Sequence, residues 1–311
     1  MNYKVLLVTD SLGLGGRENQ MALLGSNLPD DWQVLVWSLH DGFYSKHFRK
    51  HGVKCEIADR GKGITKSFKE CVRRYKPSII HYWGTNIFLA TYPIARLHGI
   101  PCVNGSIRIG MLPPYLFHKV RIILASRLCP FVIANSFAGL KAAHVPPGRG
   151  YVVYNGIDLT AFPAVEKETR SSPVKVIMCA NMHSSKKHIL LAETAALAKA
   201  RPDLPEFEFW SIGDERDLSI LAEVRRIARK ALESNTLKLM GRQIHPGSFM
   251  LKADIGLHLS KREGLCNSVM EEMASALPVL ASDVGGMREL LIQGTGFLER
   301  SDSAEGVLGV L

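Results

Sequence analysis

Short runs of uncharged, β-branched-rich residues recur along this chain, each followed by a turn and then by helically spaced apolar positions. The first run is Val5-Leu6-Leu7-Val8, followed by the glycine turn Gly13-Leu14-Gly15-Gly16 and a helical pattern from Glu18 to Leu28. Further strands are expected at 32–39, 53–57, 78–82, 101–104, 131–134 and 152–154, with helices at 42–51, 66–75, 88–98 and 115–128. Strands that are apolar along their whole length are covered on both faces, and their alternation with helices makes the sheet parallel. The rhythm lapses between Asn155 and Pro173, then resumes with strands expected at 174–180, 208–212, 237–240, 255–259 and 278–281. The fold class is therefore α/β, as two tandem Rossmann-like domains over 1–160 and 161–311. An interdomain cleft at the carboxyl ends of the strands is the expected ligand site.

Composition removes several classes. With 46% hydrophobic and 22% charged residues, the 311-residue chain can build real cores and is not a disordered one. No run approaches the roughly 18 apolar residues of a spanning helix, and Val5–Val8 is too short for the core of a secretion signal. Six cysteines without a CxxC pair speak for reduced thiols, a cytoplasmic location and no zinc site. The net charge of +10 is uneven: residues 1–160 hold 20 Lys/Arg against 9 Asp/Glu, and residues 161–311 hold 19 against 20. A basic first half suggests an anionic partner, and composition alone does not choose among nucleic acid, a membrane surface and a phosphorylated substrate. No base-stacking or recognition motif supports nucleic acid. The segment 108–127 mixes apolar residues with Arg108, Lys119, Arg121 and Arg127. It reads either as an interfacial helix at an anionic membrane, with Leu116, Val120 and Ile123 inserted, or as a helix whose apolar stripe faces the sheet.

The segment Glu263-Gly264-Leu265-Cys266-Asn267-Ser268-Val269-Met270-Glu271 places two carboxylates eight residues apart across the start of a helix. The amides of Leu265, Cys266 and Asn267 would lie at that helix's N-terminus, where free N–H groups and the dipole favour an anion. Taken alone, the two acids could equally be ordinary solvated helix-start residues, and Gly15-Gly16 a plain tight turn.

Together with four other segments they resemble a family. Glu263 to Glu271 is similar to the EX7E element of retaining glycosyltransferases of the GT-B fold, family four, the glycosyl transferases group 1. The stretch Ala274-Ser275-Ala276-Leu277-Pro278-Val279 resembles the family's AxGxPV, with Ala276 in the place of glycine, and Gly285-Gly286-Met287-Arg288-Glu289 its GGxxE turn. Asn155-Gly156-Ile157-Asp158 resembles its NGID segment, Gly15-Gly16-Arg17-Glu18 its GGxE loop, and Ser78 to His81 its DxxH with Ser for Asp.

The resemblance implies site residues. Glu271 would bind the ribose hydroxyls of a nucleotide and Glu263 the donor-sugar hydroxyls. Gly15, Gly16, Gly264 and the amides of Leu265, Cys266 and Asn267 would approach the donor closely, and Glu289 would contact its side of the cleft. The family's GRxxxxK pattern falls on Asn181 to Lys186, with Asn181 where Arg is usual. Lys186 takes the lysine place, with Lys187 the near alternative. His81 and Arg108 would lie on the acceptor side; His81 alone also reads as a core histidine. The implied reaction is retaining transfer of a hexose from a nucleotide-diphosphate sugar to a hydroxyl acceptor: a glycan, a lipid-linked molecule or a small molecule. No metal and no further cofactor is expected. The alternative is a non-catalytic nucleotide-sugar-binding module on the same fold. Polysaccharide synthesis at the inner face of a membrane, by a peripheral protein, fits the basic half. The family continues past its TGF turn, here Thr295-Gly296-Phe297, so the C-terminal end is expected to be truncated.

Overall fold

The computed structural model describes residues 3–163 and 172–311. The chain divides into two compact units, Met1–Gly156 and Ile157–Leu311. The sequence reading divides it at 160. Phe162 packs against the second unit's cluster that includes Trp210, Ile212 and Met250, in keeping with the segment from Ile157 belonging to that unit. Of the linker expected over 155–173, residues 164–171 lie outside the described ones.

Unit 1 alternates strands and helices: β1 (Tyr3–Thr9), α1 (Gly16–Ser26), β2 (Trp32–Ser38), α2 (Phe43–Lys50), β3 (Lys54–Ile57), α3 (Ile64–Tyr75), β4 (Ile79–Tyr82), α4 (Thr85–Leu97), β5 (Cys102–Ile107), α5 (Leu116–Leu128), β6 (Phe131–Ala134), α6 (Phe137–Ala142) and β7 (Gly150–Val152). Its seven strands lie in the order β3-β2-β1-β4-β5-β6-β7, all parallel. Leu6, Val8, Trp37 and Ile80 are buried on one face against α3 and α4; Val5, Leu7 and Val36 are buried on the other. Both faces are therefore covered, as strands apolar along their length require.

Unit 2 repeats the plan: β8 (Val174–Cys179), α7 (His188–Ala200), β9 (Phe207–Ile212), α8 (Leu218–Ile227), α9 (Arg229–Glu233), β10 (Leu237–Leu239), α10 (Gly247–Met250), β11 (Ile255–His258), α11 (Asn267–Ala274), β12 (Val279–Ser282), α12 (Met287–Leu290), β13 (Gly296–Glu299) and α13 (Ala304–Val310). Its six strands run parallel in the order β10-β9-β8-β11-β12-β13. Each sheet thus reverses its strand order once, between β1 and β4 and between β8 and β11. Those reversals open the crevices in which ligands of such sheets bind.

Sequence reading missed α6 and took Thr295–Leu298 for a turn. That stretch is the edge strand β13, with Phe297 opposite Leu280. On α5, Ala125 and Ser126 are buried and Ile122 packs against the core, whereas Leu116, Val120, Leu124 and Leu128 form an exposed stripe at four-residue spacing. Ile123 is half-buried and not on that stripe, so Leu124 replaces it in the exposed face. Among the described residues no helix is long and apolar enough to cross a membrane.

Candidate functional site

At the switch point of unit 2, the loop after β8 and the loop after β11 are tied edge to edge. Lys186 and Ser260 form an antiparallel bridge, the Lys187 amide donates to the Leu259 carbonyl (3.0 Å), and the Lys261 amide to the Ser185 carbonyl (2.8 Å). Ser268, in the first turn of α11, donates its hydroxyl to the Cys179 carbonyl at the end of β8 (2.7 Å). These backbone ties bring residues some seventy-five positions apart in sequence into one cluster.

Within it the Lys186 ammonium is paired with the Glu263 carboxylate and lies 3.1 Å from His258 Nε2. His258 Nε2 is 3.0 Å from the same Glu263 oxygen and 3.3 Å from Cys266 Sγ. His258 is fully buried at the end of β11. Burial opposes its charge, but Cys266 and Glu263 outweigh that and raise the imidazole to about 9. Burial would likewise raise Glu263, yet His258 and Lys186 hold its carboxyl well below the usual range, so it is ionised at every ordinary pH. Sequence reading passed over His258. The signal was a lone histidine ending an apolar strand five residues before Glu263, and that pattern is more often core packing.

Lys187 goes elsewhere. Its ammonium pairs with Asp302 at 2.6 Å, so the two lysines that the motif left open are separated by geometry, and Lys186 is the one beside Glu263. Asn181 is exposed, and its carboxamide oxygen accepts from the Asp214 amide at 2.9 Å, which fastens the loop after β8 to the loop after β9. Gly264 accepts from the Gly286 amide at 3.1 Å, joining the two glycine-bearing loops. Cys266 is the extended residue before α11, and no side chain caps that helix. Leu265 lies just before it and Asn267 is its first residue; Glu289 is half-buried in the first turn of α12.

Glu271 lies one turn into α11, half-buried, with no hydrogen bond to its carboxylate among the described residues. Burial raises its carboxyl to about 7. Its neighbour Glu272 points the other way, fully buried against Gly256, with neither oxygen partnered, and burial pushes it well above the usual range. The helix therefore leaves one acid half-buried and buries the next completely. Ala276, just past α11, has φ +54°, the left-handed conformation that favours glycine.

His258, Glu263 and Cys266 also offer one ligand atom each within 4.8 Å of one another, the one such group among the described residues. That donor set suits a soft divalent cation, but Lys186 already supplies a positive charge beside two of the three.

Of the residues expected at the site, Gly15 and Gly16, expected against the donor, and His81 and Arg108, expected on the acceptor side, lie in unit 1. Gly15 precedes α1 in extended conformation, and a Cβ there would run into the Glu18 carboxylate; Gly16 opens the helix. Glu18 is buried and accepts from Arg17 at 2.6 Å. His81 is the penultimate residue of β4, with Nε2 buried and without a hydrogen-bond partner among the described residues, its ring 4.9 Å from Trp83. Arg108 follows β5 and donates to Gly105 and Asn155. In the NGID segment Gly156 exchanges two 2.8 Å hydrogen bonds with the Gln20 side chain, and Asp158 caps the turn at Leu159–Ala161.

Residues 173–308, most of unit 2, match the family described as glycosyl transferases group 1. No curated protein sequence matches the chain. Among solved structures it is similar to HepE of Anabaena in complex with UDP, at 21% identity and TM-score 0.82 over 99% of this chain and 88% of that one. It is similar to a glycosyltransferase from Rickettsia africae (17%, TM-score 0.80, 99% and 87%). A third is sucrose-phosphate synthase from Thermosynechococcus elongatus (16%, TM-score 0.77, 99% and 88%). Identities this low show the fold, which is the two-domain GT-B fold expected from the motifs.

Proposed function

We propose, from the match of residues 173–308 to the glycosyl transferases group 1 family, that this chain is a group 1 glycosyltransferase and moves a hexose from a nucleotide-diphosphate sugar to a hydroxyl acceptor with retention of configuration. The observation that carries this reading is Lys186, whose ammonium is held against Glu263 and His258 at the switch point of unit 2. A cation fixed there by its neighbours meets the negative charge that develops on a departing diphosphate without having to reorganise, which is where electrostatic catalysis gains most. His258, in contact with both Lys186 and Glu263, helps hold that lysine in place.

Glu263 stays ionised and accepts hydroxyl hydrogens of the donor sugar. Glu271 takes the ribose hydroxyls as a charged acceptor, each such bond contributing about 1.5–3 kcal/mol. With no covalent nucleophile assigned, the acceptor hydroxyl attacks on the face that the diphosphate leaves, and a phosphate oxygen takes its proton. HepE of Anabaena has been crystallised with UDP-glucose, which makes uridine the first base to try. No metal or further cofactor enters this scheme.

The acceptor belongs to unit 1, with His81 and Arg108 on its side. A lipid-linked acceptor agrees with α5. Its exposed Leu116, Val120, Leu124 and Leu128, with Tyr115 and Phe117 beside them and Lys119, Arg121 and Arg127 around them, suit an anionic membrane surface. Flotation with anionic liposomes tests that partner: Leu124→Glu and salt should both release the protein. Protein that stays in the soluble fraction at low salt refutes it. Turnover across a panel of UDP-, GDP- and ADP-sugars tests the reaction. Tight nucleotide binding with no turnover of any donor would leave the rival reading, a binding module on the same fold.

A further inference from the structure

Arg108 in unit 1 is half-buried without a carboxylate counter-charge among the described residues. Its guanidinium lies 4.3 Å over the Trp83 ring, and it donates to the Gly105 carbonyl (3.2 Å) and the Asn155 side-chain oxygen (2.8 Å), both neutral groups. Among the described residues no carboxylate pairs with it. The nearby Arg17, by contrast, has both Glu18 at 2.6 Å and Asp10 at 3.5 Å. Burial and the proximity of Arg17 pull Arg108 down to about 10, as happens to a cation with nothing to balance it. A charge taken partly out of water is ordinarily paired, and the indole face and two neutral acceptors leave this one able to take an anion.

The surroundings agree. His81 and Trp83 line the same place from the end of β4, with His81 Nε2 and Trp83 Nε1 both buried and without a hydrogen-bond partner among the described residues. Burial, helped by Arg108, holds His81 neutral, down to about 3, so the positive charge there is the arginine's. The group sits at the carboxyl ends of parallel strands, beside the reversal between β1 and β4. Arg17 is committed to its own acids, and the N–H groups that Arg108 has left form the planar fork that matches an oxyanion.

We infer that Arg108, seated on Trp83 beside His81, is a binding site for an oxyanion, a phosphate monoester or a carboxylate, carried by the acceptor. This deepens the reading of unit 1 as the acceptor side and rests on it for the word acceptor; the anion site itself does not depend on turnover. It also gives the basic half a stereochemical purpose that net charge alone does not supply.

Indole N–H resonances of the four tryptophans, with Trp83 assigned through Trp83→Phe, provide the test. Inorganic phosphate, then a hexose phosphate and a hexuronate, are titrated with UDP present to occupy unit 2. The Trp83 signal should move on saturation while those of Trp32, Trp37 and Trp210 stay. In Arg108→Gln the apparent affinity should fall at least about tenfold, and in Arg108→Lys by less, because a charge without the fork remains. The unmoved signals report that each variant is folded. The stronger of the two sugar anions identifies the source of the oxyanion. A Trp83 signal indifferent to all three anions, or one that moves equally in Arg108→Gln, overturns the inference. Should the signal move in a protein that turns over no donor, the anion site stands and glycosyl transfer fails. A neutral acceptor glycosylated equally well by Arg108→Gln, with no shift at Trp83, means the reverse: transfer stands and the anion site fails.

Discussion

The two sheets place a cation near their switch points and treat it in opposite ways. In unit 2, Lys186 is paired with Glu263 and backed by His258, so the cluster is complete before any ligand arrives. In unit 1, Arg108 lies on an indole and meets only neutral acceptors. A paired cation is preorganised, and a diphosphate must share it with a carboxylate. An unpaired one costs stability in the free protein and returns that cost when an anion binds. On the proposed reading, the pairing separates a place for charge that appears during reaction from a place for charge that is already on the ligand.

Lys186→Ala is the change with the largest expected effect. Turnover should fall by about 10²–10³, the usual loss for one charge-stabilising donor. The variant should also lose about 1–3 kcal/mol of stability, since Glu263 and His258 lose their shared partner. Arg108→Gln should leave the free protein within about 0.5 kcal/mol of wild type, or more stable, because it removes a charge that has no partner. Urea melts of the two variants side by side would erase the contrast if both lose stability equally. Lys187→Ala, which breaks only the pair with the exposed Asp302, should leave turnover nearly intact.

Glu271→Ala comes next, with nucleotide affinity weakened roughly tenfold or more in calorimetry and the fold unaffected. An unchanged Kd would remove Glu271 from the site. A milder effect follows from pH. The Glu271 carboxyl is raised to about 7 in the free protein, and ribose hydroxyls require the ionised form. Affinity should therefore be full above pH 7 and decline below it, by at most about tenfold per pH unit, with Glu271→Gln flattening the profile. His258 works in the other direction. Its folded value, about 9, lies above that of the unfolded chain, about 6.5. Its charge therefore stabilises the fold fully below pH 6.5, and that contribution disappears as pH rises through 9. His258→Gln should be clearly less stable than wild type at pH 6 and much closer to it at pH 10.

Much of this was legible in the residues. Uninterrupted apolar runs such as Val5–Val8 can only be central strands, and the order of the motifs carried the fold and singled out Glu263 and Glu271 as candidates. Three things were not legible, each for a physical reason. Lys186 and Lys187 are neighbours in sequence, and only the bridge to Ser260 decides which faces Glu263. A histidine in an apolar strand carries no sign of its partners, so His258 passed as core. The face of α5 depends on which turn the sheet buries: Ala125 and Ser126 are small enough to pack, which turns Leu124 outward. Ala276 shows the converse, a departure from a motif that the backbone explains. Its φ of +54° predicts that Ala276→Gly will raise stability by about 1 kcal/mol, the smallest of these effects, measurable as a shift in the urea midpoint.

The claim that Lys186 meets the diphosphate is tested most directly by calorimetry of two ligands, the bare nucleoside and its diphosphate, against wild type and Lys186→Ala. The diphosphate should bind wild type far more tightly than the nucleoside, and most of that advantage should vanish in the variant while nucleoside affinity stays within about twofold. An advantage that survives unchanged in Lys186→Ala would contradict the account and place the diphosphate elsewhere.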